Sequence, residues 1–214
     1  EELAANCSFE DVSFLLLNDR IGTADEVKAF DAELKSKRTL EPELLQMIGL
    51  MPASGHPMDV LQSITAAMAL YYPCKDVADA DIQAAAVTRV IASVPTIIAA
   101  FDRSRRGLQP VAPRLDLSHA ANFLYMLSGE EANPVSVKTM DTALVLHAEH
   151  TMNASTFTAR VVGSTLADPY SVIAGAVGSL SGPLHGGANE RVLALLDEVG
   201  SVEAADEVIT GKID

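Results

Sequence analysis

Hydrophobic positions along the chain recur mostly at helical spacing. After the Thr23-Ala-Asp-Glu26 segment, Val27, Phe30 and Leu34 follow at i, i+3 and i+7. This spacing places apolar side chains on one face of an α-helix. Thr23 and Glu26 form a capping box, in which each side chain bonds the backbone N–H of the other residue. We therefore predict a helix that begins directly after Thr23.

Similar signals mark the starts and ends of further helices. Residues with a side-chain oxygen that can cap a helix precede four more apolar runs: Ser8, Asp79 or Asp81, Asn133 and Asp168. Pro57 suits the first turn of another helix, which Pro73 ends. A helix that begins near Asp79 or Asp81 is expected to kink at Pro95. Gly200 is typical of the residue that follows a helix, here one predicted from Asn189 to Val199.

The interior of the protein has few aromatic side chains to draw on. Aromatic residues make up 5% of the sequence and tryptophan is absent, so aliphatic residues must form the core. No sustained alternation of apolar and polar residues, as strands would show, lies between turn signals. We predict an all-α, multi-helical fold of about ten helices joined by short loops.

The predicted helix over Ser171 to Gly182 is unusually rich in small residues. Small side chains allow a neighbouring backbone to approach closely, so we expect this helix to be buried on most sides. It is either a central core helix within one chain or a helix packed against its counterpart in a dimer, and the sequence leaves both possibilities open.

The chain is strongly acidic. It has 29 acidic and 15 basic residues, a formal net charge of −14 at pH 7. Such a chain repels the phosphate backbone, so we expect no nucleic-acid partner. Four arginines within twelve residues, Arg103, Arg105, Arg106 and Arg114, form the only basic concentration. They could hold an anion, or they could be the solvated end of a helix, where cations are favoured.

Apolar runs and cysteines restrict the cellular setting. The longest apolar stretch, Val90 to Phe101, is shorter than the roughly 20 residues that span a bilayer, so we expect a soluble protein with no membrane partner. The two cysteines, Cys7 and Cys74, form neither a disulfide framework nor a CxxC metal motif. This usage suits a reducing compartment.

His185 is the most promising candidate for chemistry. It lies in Gly182-Pro-Leu-His-Gly-Gly-Ala-Asn-Glu190, a glycine-flanked turn directly before an amphipathic helix. Glycines there allow a ligand to approach the backbone. The partial positive charge at a helix start favours a neutral imidazole. Such a ring can donate a hydrogen bond to a carbonyl that becomes an enolate, as in triosephosphate isomerase. A buried histidine that caps the helix is the alternative.

A second polar group lies between two predicted helices. The segment His150-Thr-Met-Asn-Ala-Ser-Thr156 supplies a ring, an amide and hydroxyls suited to binding carboxylates or carbonyls. Helix capping by Asn153 and Ser155 explains the same residues without a ligand. His147 and His150 share a helix face, but no third ligand is indicated, so we expect no metal site.

Together, these segments resemble the citrate synthase family. The resemblance rests on Pro183-Leu-His-Gly-Gly-Ala-Asn-Glu190 and on His150-Thr-Met-Asn-Ala-Ser-Thr156. Further matching segments extend it over effectively the whole chain: Arg160, Ser164-Thr165, His56 to Leu61 and Pro113 to Met126. The resemblance implies an all-α acyltransferase of the tricarboxylic acid cycle, which condenses acetyl-CoA with oxaloacetate and water to citrate and free CoA.

The resemblance also implies roles for single residues. His185 corresponds to the catalytic histidine that hydrogen-bonds the acetyl thioester oxygen and stabilises its enol. His150 corresponds to a residue that contacts oxaloacetate, and Asn153 is implied to shape that substrate site. A neutral donor at a helix start fits this role, because the charge that it meets develops only on the way to the transition state.

Two domains are implied, a large helical domain over residues 1–184 and the beginning of a small domain over 185–214. The second catalytic His, the catalytic Asp and the oxaloacetate-binding arginines of the family lie further downstream, whereas the sequence ends at Asp214. We therefore expect these 214 residues to be inactive alone. The implied setting is a cytoplasmic homodimer with acetyl-CoA as substrate and no cofactor. The alternatives are a 2-methylcitrate synthase that uses propionyl-CoA, or a non-catalytic helical assembly module.

Overall fold

The protein is all-α, as predicted. The computed structural model describes residues 2–74, 76–149, 151–202 and 204–213, and for residues 188–190, 193, 207, 212 and 213 it describes the backbone alone. These residues form twelve helices and no strand, two helices more than the approximate number predicted. In chain order the helices are α1 Glu2–Asn6, α2 Phe9–Asn18, α3 Ala24–Ser36, α4 Pro42–Leu50, α5 Pro57–Tyr71, α6 Ala80–Arg105, α7 His119–Ser128, α8 Pro134–His147, α9 Ala154–Gly163, α10 Pro169–Leu180, α11 Gly187–Val199 and α12 Ala205–Ile213.

The predicted capping residues start the helices. Thr23 and Glu26 form the reciprocal capping box at the start of α3, and a second box stands at Ser8 before α2. Asn133 and Asp168 cap α8 and α10 through their side chains. Of the two candidates for α6, Asp79 is the cap, because its carboxylate accepts the backbone N–H groups of residues 81 and 82.

Several boundaries differ from the prediction. Helix α11 begins at Gly187, ahead of the predicted Asn189, and α8 ends at His147. Helix α4 was not predicted, because Glu41 at its N-cap makes no side-chain capping bond and Pro42 is the only start signal. Helix α6 is continuous through Pro95, and the kink expected there stays a prediction.

Helix α6 is the centre of the fold. It packs against α3, α4, α5, α7 and α10. The largest buried cluster joins it to α4, α5 and α10 through side chains such as Leu44, Ile64, Met68, Ile97 and Phe101. Within the described parts of the chain, α6 alone is long and apolar enough to cross a membrane, and 61% of its most apolar stretch is buried inside the protein. The absence of a membrane partner stays a prediction.

Helix α10 lies between α5 and α9 of the same chain. A Cβ atom at Gly178 would lie 2.5 Å from Nε2 of Gln62 on α5. A Cβ atom at Gly175 would lie 3.4 Å from Cγ2 of Val162 on α9. Packing within one chain therefore accounts for Gly175 and Gly178, and a contact of α10 with its counterpart in a dimer stays a prediction.

A fully buried arginine anchors the loop that leads from α6 to α7. Nη1 of Arg38 donates to the carbonyl oxygens of Arg114, at 2.5 Å, and Leu117, at 2.9 Å. Thr96 of α6 in turn donates to the Arg38 carbonyl at 2.8 Å. Burial lowers the pKa of Arg38, and the negative charges of Asp31 and Glu10 oppose that effect.

His119 is buried beside this arginine, in the first turn of α7. Its backbone N–H donates to Oε1 of Glu10 at 2.8 Å, and its ring centroid lies 4.8 Å from that of Phe9. Burial, and secondly the charge of Arg38, lowers the pKa of His119 from 6.5 to about 4. The native protein therefore holds this ring neutral at pH values where the unfolded chain protonates it.

Replacing His119 with phenylalanine should flatten the acid side of the stability profile. Below pH 6.5 the unfolded state binds a proton that the native state takes up only near pH 4, so the contribution of His119 is lost as the pH falls through this window. From pH 7 to pH 4, H119F should lose less free energy of unfolding than the wild type, by on the order of 3 kcal/mol. Urea unfolding at stepped pH measures this difference.

The internal control for H119F is the range from pH 7 to pH 8.5. There the difference in unfolding free energy between the two proteins should stay constant. Parallel curves down to pH 4 would show that His119 does not titrate as described.

Candidate active site around His185

His185 lies in the turn between α10 and α11 and is half-buried. Its backbone N–H donates to the carbonyl oxygen of Gly182 at 2.9 Å, and the N–H of Gly187 donates to the same oxygen at 3.2 Å. One carbonyl therefore closes the turn, and α11 begins two residues after His185. The ring is held at the N-terminal end of a helix, where the backbone carries partial positive charge.

The glycines after His185 lie close to the backbone of their own turn. Gly186 has φ −62°, a value open to any residue, so its conformation does not require glycine. A Cβ atom there would lie 2.5 Å from the carbonyl oxygen of Leu180, and one at Gly187 would lie 3.0 Å from that of Gly182. The missing side chains let the turn fold against its own backbone, and the approach of a ligand to these glycines stays a prediction.

The described partner of the His185 ring is Ser155. Its Oγ lies 2.6 Å from Nε2 of His185, and the direction of this hydrogen bond depends on the tautomer of the ring. From the sequence we considered Ser155 a helix-capping residue, and its pairing with His185 was missed. A hydroxyl bonded to one ring nitrogen fixes the orientation of the imidazole and leaves the other nitrogen to act on a substrate.

Ser155 and His185 are 30 residues apart in sequence and are brought together by a helical hairpin. Helix α9 has 10 residues and α10 has 12, and a short loop joins them. Since both rise about 1.5 Å per residue, the start of α9 comes to lie beside the end of α10. The near-equal lengths of α9 and α10 are the feature of the sequence from which this contact could have been inferred.

Of the two residues predicted to bind oxaloacetate, the structure describes Asn153, which lies at the same end of the hairpin as Ser155. Oδ1 of Asn153 accepts the N–H of Thr156 at 2.9 Å, so Asn153 is the N-cap of α9. It precedes by two residues Ser155, whose hydroxyl contacts the His185 ring. His150 lies outside the described residues.

Two other histidines have structural contacts. Nδ1 of His56 accepts the N–H of Met58 at 3.2 Å, which makes His56 the N-cap of α5. Nδ1 of His147 lies 2.7 Å from the carbonyl oxygen of Ala143, one turn earlier in α8. In the residues that the structure describes, no group of three or more His, Cys, Asp or Glu side chains is arranged to hold a metal ion.

The four arginines of the basic cluster contact backbone carbonyl oxygens and carboxylates close to them. Arg103 and Arg106 both donate to the carbonyl oxygen of Leu127 at the end of α7, at 3.3 and 3.1 Å. Arg105 and Arg106 pair with Asp102. Arg114 pairs with Asp116 and Glu131, and the hydrogen bonds to these carboxylates raise its pKa. This arrangement agrees with the interpretation as a helix end and offsets much of the positive charge.

Fold and site together define an all-α protein with a serine-held histidine at a helix start. Residues 1–214 match the citrate synthase, C-terminal domain, family. A citrate synthase of Synechocystis sp. is 49% identical over 203 residues, which are 95% of this chain and 51% of the relative. The chain belongs to the citrate synthase family.

Further relatives agree with this assignment. A 2-methylcitrate synthase of Mycobacterium tuberculosis is 40% identical, over 100% of this chain and 54% of its own length. The crystal structure of citrate synthase from Thermotoga maritima superposes with a TM-score of 0.84 at 34% identity, over 99% of this chain and 55% of that one. The chain spans about half the length of the curated relatives it matches.

Substituting Gly186 with alanine should displace the His185 turn. The new Cβ would lie 2.5 Å from the Leu180 carbonyl oxygen, a backbone atom that cannot move aside alone. We expect G186A to lower the free energy of unfolding by about 1–3 kcal/mol, measured by urea unfolding.

Gly49 on α4 provides the matched control for Gly186. A Cβ atom there meets nothing within 4 Å, so G49A should raise stability by up to about 1 kcal/mol. A G186A protein that is as stable as the wild type, with an unshifted turn in its crystal structure, would contradict the close approach described here.

Proposed function

We propose that the full-length protein is an acyltransferase that condenses acetyl-CoA with oxaloacetate and water to give citrate and free CoA. The observation that carries the proposal is the hydrogen bond between Ser155 and His185 at the start of α11, in a chain of the citrate synthase family. The bond gives the imidazole one fixed orientation at the point where the helix supplies partial positive charge.

The proposed role of His185 is to stabilise the enol of acetyl-CoA. When the hydroxyl of Ser155 donates to Nε2, the ring is neutral and its proton resides on Nδ1. Nδ1–H then donates to the thioester oxygen as a base removes a methyl proton and negative charge develops there. The family resemblance implies an aspartate for that base, downstream of residue 214. The enol carbon attacks the keto carbon of oxaloacetate, and water then releases CoA.

His150 and Asn153 are proposed to bind oxaloacetate. Oδ1 of Asn153 is engaged in capping α9, so Nδ2 is the atom that can donate to a substrate carboxylate. The role of His150 rests on the family resemblance. Both residues lie in the sequence directly before Ser155, so the two substrates would meet near the end of the helical hairpin.

Acetyl-CoA is the better supported acyl donor. The Synechocystis citrate synthase is more similar to this chain than the Mycobacterium 2-methylcitrate synthase is. Propionyl-CoA is the alternative donor, and a direct comparison of the two rates separates these functions.

The remaining proposals rest on the family resemblance. They are a large domain over residues 1–184 with a small domain beginning at 185, a homodimer, a cytoplasmic location, and catalysis without a cofactor. The packing of α11 is consistent with the domain boundary, since its most extensive helix contact is with α12. The assembly of the full-length protein can be measured by its mass in solution.

The decisive experiment is a CoA-release assay with the full-length protein. Oxaloacetate is supplied with acetyl-CoA or with propionyl-CoA, and the 214-residue chain is assayed beside it, for which we expect no activity. Faster release with acetyl-CoA supports the proposal, whereas faster release with propionyl-CoA makes the protein a 2-methylcitrate synthase. A folded full-length protein that neither binds oxaloacetate nor releases CoA would favour the non-catalytic assembly module.

Replacing Ser155 with alanine should lower kcat. The variant S155A loses the hydrogen bond that orients His185, and the loss of one such bond corresponds to about tenfold in rate. H185A should lose at least about 100-fold, because it removes the donor itself. Steady-state kinetics of the full-length protein measure both effects.

Ser63 supplies a matched serine control. It is exposed on α5 and donates to the Asp59 carbonyl, so S63A should leave kcat unchanged. If S155A and S63A had the same kcat as the wild type, Ser155 would have no part in orienting the catalytic ring.

A further inference from the structure

Thr151 has an uncommon backbone conformation. In the described part of the chain, three residues other than glycine have positive φ: Asp19, Thr151 and Leu166. Asp19 directly follows the end of α2, where the left-handed conformation is a common way to finish a helix, and Leu166 lies in the connection between α9 and α10. Thr151, with φ 54°, lies in the connection between α8 and α9, two residues before the N-cap of α9. A β-branched side chain disfavours this conformation.

Two hydrogen bonds hold Thr151 in place. Its backbone N–H donates to Oε1 of Glu149, and its carbonyl oxygen accepts the N–H of Asn153 at 3.2 Å. The side chain of Glu149 is therefore linked to the backbone of Thr151, two positions later. Strained conformations persist where surrounding contacts determine them, and they are concentrated at functional sites.

The helix after this connection is fixed independently. Helix α9 packs along α10, Asn153 caps it, and Ser155 contacts the His185 ring. The conformation of Thr151 thus affects the path of the chain from α8 to Asn153, and leaves the contact between Ser155 and His185 in place. The chain that leads to Asn153 is the segment to which we assign oxaloacetate binding, whereas the contact between Ser155 and His185 serves acetyl-CoA.

We propose that Glu149 and Thr151 are positioning residues for oxaloacetate. The Glu149 carboxylate holds Thr151 in the left-handed conformation, which directs the residues before α9 so that Asn153 approaches the substrate. This inference rests on the proposed function. It predicts that loss of the Glu149 contact weakens oxaloacetate binding and leaves the chemical step intact.

The test uses four variants of the full-length protein. E149A should raise KM for oxaloacetate about tenfold, the effect of one lost hydrogen bond, and keep kcat within about twofold. E149Q retains an oxygen acceptor and should resemble the wild type. The double variant E149A/T151G should recover most of the affinity, because glycine adopts positive φ without a supporting contact. D19G, a change at another left-handed position remote in sequence from the site, should leave KM unchanged.

Two readouts do not depend on turnover. The dissociation constant of oxaloacetate, measured by calorimetry without acyl-CoA, should follow the same order as KM. A crystal structure of E149A should show Thr151 at negative φ. Persistence of positive φ in E149A, or an unchanged oxaloacetate affinity, would overturn the proposal. So would a fall in kcat without a change in KM.

Failure of the proposed function gives a different pattern. A wild-type protein that binds oxaloacetate but releases no CoA from either acyl donor refutes the synthase assignment, while the calorimetric series still tests Glu149 and Thr151. A wild-type protein that does not bind oxaloacetate overturns both proposals.

Discussion

The candidate site depends on the close packing of α10 between α5 and α9. This packing is possible because α10 presents small residues on both sides: Gly178 leaves room for Gln62, and Gly175 lies against Val162. An added Cβ at Gly178 would displace the end of the Gln62 side chain, whereas one at Gly175 would lie at ordinary van der Waals distance from Val162. Since α9 and α10 form a hairpin, any change in their spacing would act at its end, where Ser155 and His185 are 2.6 Å apart. A contact between residues distant in sequence thus depends on how the two helices that carry them pack.

The His185 turn adds a second restraint of the same kind. The Gly182 carbonyl accepts two N–H groups, and Gly186 lies directly against the Leu180 carbonyl. A turn closed by its own backbone has little freedom to move, and its histidine is bonded to a serine on a packed helix. Preorganisation of this kind favours catalysis, because a donor that is already oriented needs no rearrangement as charge develops on the substrate.

The local parts of this site follow from the sequence, and the long-range parts do not. Thr23, Asn133 and Asp168 start helices as predicted, because a capping side chain acts within three residues of its own position. Ser155 was assigned to capping instead, since its partner comes from a turn 30 residues later. The contact that requires glycine at position 186 was also not predicted. A glycine pattern shows that something approaches closely, but only the folded chain shows that this is the carbonyl of Leu180.

Charge presents the remaining problem, because the chain carries −14 and oxaloacetate, the proposed substrate, is an anion. Arg105, Arg106 and Arg114 do not solve it, since Asp102, Asp116 and Glu131 pair with them. The site instead lies where two helices begin. Ser155 is in the first turn of α9 and His185 directly precedes α11, so their contact brings two helix N-termini together. Each N-terminus carries about half a unit of positive charge from its unpaired N–H groups. An acidic protein can in this way attract an anion locally with backbone dipoles, while its net charge stays negative.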